Sequence, residues 1–223
     1  MAEKYGVIPP KFTKEWWSYF WTYYKWHVIV PLLIIIGVTI TVVQRVNSPK
    51  YDLTVTYNGT KTYSDEEANA LTEIMNGYID DVDGNGEKSV YFQQLVFSDS
   101  QTEPQYNYAI QTKLMLEFQN DCSFIFMMED QTVSGLINSS ATEGVFVPVS
   151  EWAQSDVDSE LLYPQYPEGC EAYAVNLKNS KILKEKGIPC NNIYVALYRN
   201  SKTDEENTAA FESSKRILNA LIQ

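Results

Sequence analysis

The apolar residues of this 223-residue chain follow two rhythms, one unbroken and one alternating. From Val28 to Val43 the sequence VIVPLLIIIGVTITVV holds sixteen residues without a charge. A helix of that length covers about 24 Å, against a hydrocarbon core of roughly 30 Å, and Trp26, His27 and Val46 can lengthen it into both interfaces. A core helix of a water-soluble domain would carry a polar face, and this stretch has none. The expectation is a transmembrane helix over 28–46, with Pro31 in its first turn, where a missing N–H costs least. A cleaved signal peptide is the competing reading. Against it stand the 27 residues that precede the stretch and the sequence QRVNSPKYD after it, which has no small-x-small cleavage site.

After a short linker at 47–50 the rhythm becomes that of alternating strands and helices. Tyr51 to Tyr57 reads as a strand ended by Asn58-Gly59. Ser64 with Glu67 forms a capping-box signature, and Ala68, Leu71, Met75, Tyr78, Ile79 and Val82 follow at helical steps up to Asp83-Gly84-Asn85-Gly86. Val90 to Phe97 is a second strand. Pro104 opens a helix with Tyr106, Ile110, Leu114 and Phe118 on one stripe. Ser123 to Met128 suits a central strand, Glu129 to about Ser140 a helix, and Val145 to Val149 a short strand. Residues 153–169 read as a surface loop. Ala172 to Leu177 is a strand, Ser180 to Lys186 a helix closed by Gly187, Ile193 to Arg199 a strand, and Thr203 to Leu221 a last helix. About five alternations predict one three-layer α/β domain over 51–223 with a mainly parallel sheet. A ligand of such a sheet would sit at the carboxyl ends of its strands.

Charge separates the same two parts. Residues 1–50 hold six basic and two acidic side chains, a balance of +4, whereas 51–223 hold eleven and 27, a balance of −16, within a total of −12. So acidic a chain is no nucleic-acid binder. Four lysines precede the span, with Arg45 and Lys50 after it, which favours a cytoplasmic N-terminus and an extracytoplasmic domain at the cell membrane.

Residues 1–27 form a cytoplasmic or interfacial aromatic segment. Trp16, Trp17, Tyr19, Phe20, Trp21, Tyr23, Tyr24, Trp26 and His27 are its membrane-interface candidates, since indole and phenol rings prefer the headgroup zone. The same aromatic helix is also a candidate docking surface for another membrane or envelope protein.

Chemistry-bearing residues are sparse. His27, the one histidine, belongs to the anchor, so no Cys–His nucleophile can be assembled in the outer domain. Asp81, Asp83, Asn85 and Glu87 match the start of a calcium loop, with Asp80 and Ser89 as further donors. Lys88 and Phe92 occupy the eighth and twelfth positions, where an apolar residue and a glutamate belong. The alternative is a tight turn between helix and strand. Cys122 reads as a small buried residue, and Cys170 with Cys190 as either a disulfide or two thiols. Asp80/Asp81 and Glu129/Asp130 are the carboxylate pairs a hydrolase would use.

The run Tyr23-Tyr24-Lys25-Trp26-His27, followed by Pro49-Lys50-Tyr51-Asp52-Leu53-Thr54-Val55, resembles uncharacterised single-pass membrane proteins of Clostridia-type Gram-positive bacteria over nearly the whole chain. That resemblance implies a location and no activity. SFIFMMEDQTVSGLINSSATEGVFVPVSEW, residues 123–152, is similar to a passage of the extracellular solute-binding proteins of ABC importers, and Tyr173 to Leu177 resembles a strand that follows it there. This likeness implies one lobe-like α/β domain, about half of a two-lobed trap.

The expected function is a membrane-anchored extracytoplasmic domain that binds an unknown small ligand or a partner without catalysis. Its partners are the lipid bilayer and a further membrane or envelope protein, with no cofactor unless calcium. The alternatives are an accessory subunit of a transport-type membrane complex, docked through the aromatic helix, and a cell-envelope hydrolase working with carboxylates.

Overall fold

Helix α1, Lys14–Val46, runs without a break through both the aromatic segment and the apolar stretch. The computed structural model describes residues 10–46, 50–82, 84–98, 103–138, 144–154, 157, 159–164, 171–199, 201 and 204–223. It divides into two units, 1–49 and 50–223. Thr13 starts α1 by accepting the Trp16 N–H at its hydroxyl, at 3.2 Å. With 33 residues the helix extends over about 50 Å, well beyond a hydrocarbon core of roughly 30 Å. It is the one helix among the described residues long and apolar enough to cross a membrane. Pro31 therefore lies in a helix interior and not in a first turn, and the His27 carbonyl loses its i+4 donor there.

The second unit is a mixed α/β domain around a six-stranded sheet ordered β2-β1-β3-β6-β5-β4. The strands are β1 (Leu53–Gly59), β2 (Val90–Val96), β3 (Ile125–Glu129), β4 (Leu161–Leu162), β5 (Ala174–Asn176) and β6 (Ile193–Leu197). Helices α2 (Asp65–Asn76), α3 (Pro104–Gln119), α4 (Asp130–Ile137), α5 (Val149–Trp152), α6 (Lys181–Glu185) and α7 (Glu205–Leu221) complete it.

Strand alternation sorts the core into two layers. Leu53, Val55 and Tyr57 of β1 face Leu71 and Met75 of α2 together with Ile217, Leu218 and Leu221 of α7. Phe126 and Met128 of β3 face Leu114 and Phe118 of α3 and Val133 of α4. Helices thus pack against both faces of the sheet.

The sheet is mixed, not mainly parallel. β1 runs parallel to β2 and β3, but β3–β6, β5–β6 and β4–β5 are antiparallel. The reason lies in the connections. The twelve-residue α2 and sixteen-residue α3 carry the chain back across the sheet, as parallel pairing requires. Between β5 and β6 the only helices are a 3-10 turn at Leu177–Asn179 and the five-residue α6, which rises about 7.5 Å, too short to return the chain to its starting edge.

Several boundaries move. α2 ends at Gly77, so Ile79 is buried outside a helix. The strand expected at 145–149 is a single bridge, Phe146 to Tyr198, followed by the turn of α5. β4 forms inside the stretch read as a loop. Cys122 is exposed, contrary to expectation, because Asp121 takes a left-handed φ of 51° as α3 ends and β3 begins only at Ile125. Cys170 lies outside the described residues, while Cys190 is buried.

Candidate functional site

β1 leads through α2 to β2 on one side, and β3 lies on its other side. The chain therefore diverges at the carboxyl ends of β1 and β3, the place where loops separate and leave a crevice. A cavity of about 370 Å³ opens there, between the Thr60–Tyr63 loop, Glu129 and the Pro189–Ile193 turn. β6 runs antiparallel to β3, so its amino end closes the same edge.

Glu129 stands at the N-cap position of α4 but makes no capping bond. Its carboxylate turns to the end of β1 instead. Oε1 accepts the Thr60 N–H at 3.0 Å and the Thr60 hydroxyl at 3.1 Å, and the Tyr57 hydroxyl lies 3.5 Å away. The Tyr57 ring reaches Glu129 across Gly59, where an added Cβ would lie 2.2 Å from the Tyr57 hydroxyl oxygen and 2.8 Å from Glu129 Oε1. Glycine is required there by close approach.

Tyr63 closes the inner wall. Its hydroxyl donates to the Pro189 carbonyl at 2.8 Å, and its ring meets that of Tyr57 edge-on with centroids 4.9 Å apart. Gln94 of β2 holds the Tyr63 backbone through both its N–H and its carbonyl. Burial pushes both phenols well above their ordinary range, and the Glu129 charge pushes Tyr57 further, so both are protonated donors at neutral pH. Burial also raises the nearby Cys190 thiol, against the pull of Lys184. Glu67 completes the capping box that the sequence predicts, its Oε2 accepting the Ser64 N–H at 2.8 Å.

On the opposite face of β1 the polar residues are buried as well. Thr56 and Ser123 share a hydrogen bond of 2.7 Å. Asn58 donates to the Leu95 carbonyl, while its buried Oδ1 has no partner among the described residues.

The candidate calcium loop carries turn-type hydrogen bonds among its described residues. Asp81 accepts the Asn85 and Gly86 N–H groups on its two oxygens at 3.1 and 2.8 Å, and Asn85 accepts the Glu87 N–H at 2.7 Å. Gly84 and Gly86 take left-handed φ values of 69° and 88°. Asp83 lies outside the described residues. Asp52, buried and absent from the expected site residues, holds the loop from below by accepting the Val82 and Ser89 N–H groups at 2.6 and 2.8 Å. Among the described residues no three His, Cys, Asp or Glu side chains form a metal-holding group.

The hydrolase pairs find separate partners. Asp80 pairs with Arg216, which holds its carboxyl below the usual range, and Asp130 accepts the Ser134 hydroxyl at 3.0 Å.

In the N-terminal unit, Phe12, Trp16, Phe20 and Tyr24 form a ladder at four-residue steps, with ring centroids 5.5 to 5.8 Å apart. Tyr19 packs with its ring tilted against Tyr23, and Tyr24 reaches His27. Trp17, Trp21 and Trp26 are 47%, 50% and 64% exposed, so they remain available to a surrounding medium.

No protein-family profile, no curated protein and no solved structure matches the chain.

Proposed function

We propose that the protein is a membrane-anchored extracytoplasmic binding domain that takes a small polar ligand in the crevice at the ends of β1 and β3. The observation that carries this reading is the position of the cavity. It lies where the strand order diverges, and polar groups from β1, β3, α2 and the turn before β6 converge on it. Residues 123–152, the passage read above as resembling solute-binding proteins, supply β3 and Glu129 to this crevice. The apolar part of α1 is read as an uncleaved anchor with its N-terminus in the cytoplasm. The domain acts by binding, with no chemical step assigned to it.

Thermal unfolding of the full chain in nanodiscs, screened against a mixed set of small cations, anions and polyols, tests the crevice. At least one compound should raise the Tm, and Thr62→Trp, which fills the crevice from its exposed rim, should abolish the rise. A set in which nothing raises the Tm sinks the reading.

A second reading rests on the exposed indoles of α1. As an accessory subunit, the protein would pack Trp17 and Trp21 against a neighbouring membrane protein. Replacing Trp16, Trp17 and Trp21 by Ala should then release a cross-linked partner while leaving membrane insertion intact. Unchanged cross-linking would rule this out.

A further inference from the structure

We infer that the crevice selects a ligand bearing a primary ammonium group. This rests on the crevice reading above and adds the charge and hydrogen-bonding character of what enters it.

The first observation is uncompensated charge. Glu129 and Glu67, both half-buried, line the cavity, and every partner recorded for either carboxylate is a neutral N–H or O–H. Lys61, exposed on the rim, is the one basic side chain among the described lining residues, and it pairs with neither acid. Asp65 and Glu66 in the first turn of α2 add negative charge close by. The positive end of the α2 dipole is already met by the Glu67 cap. An anionic ligand would have to approach two carboxylates in a narrow site, where such repulsion is poorly screened.

The second observation is the kind of hydrogen-bonding capacity left over. Among the described residues Glu129 Oε2 accepts only the Thr60 hydroxyl, at 3.0 Å, and the bonds to Ser64 all fall on Oε2 of Glu67, leaving its Oε1 open. Tyr63 has spent its proton on the Pro189 carbonyl, and the Thr60 N–H and hydroxyl are spent on Glu129. Thr62, Asn191 and Asn192 bring further donors to the lining, but the charged acceptors left over are those of Glu129 and Glu67. A primary ammonium brings three donors and no acceptor, which is the complement. The edge of the Tyr57–Tyr63 pair and Ile193 provide an apolar wall for the carbon chain that carries it.

The test uses the full chain in nanodiscs and ligand-observed NMR with four probes: n-butylammonium, butan-1-ol, inorganic phosphate and myo-inositol. n-Butylammonium should bind in competition with added salt, and Thr62→Trp should abolish its binding. Glu129→Gln should weaken it about tenfold or more. Because Glu129 also holds the Thr60 loop, Lys61→Glu serves as the second variant. It changes only an exposed charge and should tighten amine binding severalfold. Binding of butan-1-ol, phosphate or myo-inositol in place of the amine, blocked by Thr62→Trp, overturns the ammonium inference and leaves the crevice standing. Amine binding indifferent to Thr62→Trp and Lys61→Glu overturns it as well. If none of the probes binds while the Tm screen has a hit, the ammonium inference alone falls.

Discussion

Thr60 and Glu129 lie 69 positions apart, yet Thr60 gives both its backbone N–H and its hydroxyl to that one carboxylate. The bond ties the end of β1 to the end of β3 at the point where the strand order diverges. It fixes the mouth of the crevice through one charged group.

Gly59→Ala should damage this arrangement more than a single methyl would suggest. The new Cβ would meet the Tyr57 hydroxyl oxygen at 2.2 Å and its Cζ at 2.7 Å, both on a buried ring that cannot swing away. A loss of about 1–3 kcal/mol in chemical denaturation is expected, typical of overpacking a close-packed site. A variant as stable as the wild type would show that the ring moves freely.

Alkaline pH should destabilise the domain. Tyr57, Tyr63 and Tyr198 have folded pKa values raised above their ordinary 10.0, chiefly by burial. A raised value means the neutral form is favoured by folding. The stabilisation is therefore complete below pH 10 and is lost as pH rises past it, because the unfolded chain releases its protons first. Unfolding free energy should fall between pH 10 and 11, and Tyr57→Phe should make that fall shallower. A flat profile over this interval would contradict the burial of these phenols.

The loop at 81–87 should depend on its carboxylates as acceptors for backbone N–H groups. Asp52→Ala leaves the Val82 and Ser89 N–H groups without their acceptor and should cost about 2 kcal/mol. Asp81→Ala, in a more exposed turn, should cost about 1 kcal/mol. Millimolar calcium should leave the wild-type Tm unchanged if the turn is its whole purpose, and a rise abolished by Asp81→Ala would instead establish a calcium site.

Cys190 is buried and its thiol is pushed up in pKa, two effects that both slow alkylation. In a Cys122→Ala, Cys170→Ala variant, iodoacetamide labelling at neutral pH should follow global unfolding across a denaturant series. Rapid labelling of the folded protein would show that the turn before β6 opens locally.

What the sequence made legible was local punctuation. The Ser64–Glu67 capping box, Pro104 at the start of α3 and Gly187 at a left-handed φ of 69° all stand where their chemistry predicts. The apolar run announced α1 equally well. Pairing direction was not legible, because a helix between two strands signals a parallel crossover only when it is long enough to return the chain, and the five-residue α6 is not. Of the crevice, the sequence pattern offers only an edge of the sheet and no side chains. Tyr57 reads as one more alternating strand residue, and nothing in its neighbourhood reveals that its ring bridges Gly59 to an acid 72 positions away. Asp52 was hidden for the same reason, since both of its backbone partners lie beyond α2. The exposure of Cys122 is not legible either, because it depends on one residue of left-handed backbone at Asp121 that delays the strand.

The strand that follows the N-terminal unit directly is β1, and β1 is an interior strand bonded on both sides. Seven residue pairs join it to β2 and four join it to β3, all parallel. The chain that leaves the N-terminal unit thus enters the domain through a strand held by two ladders, and drawing β1 out of the sheet must break both, whereas an edge strand is held by one.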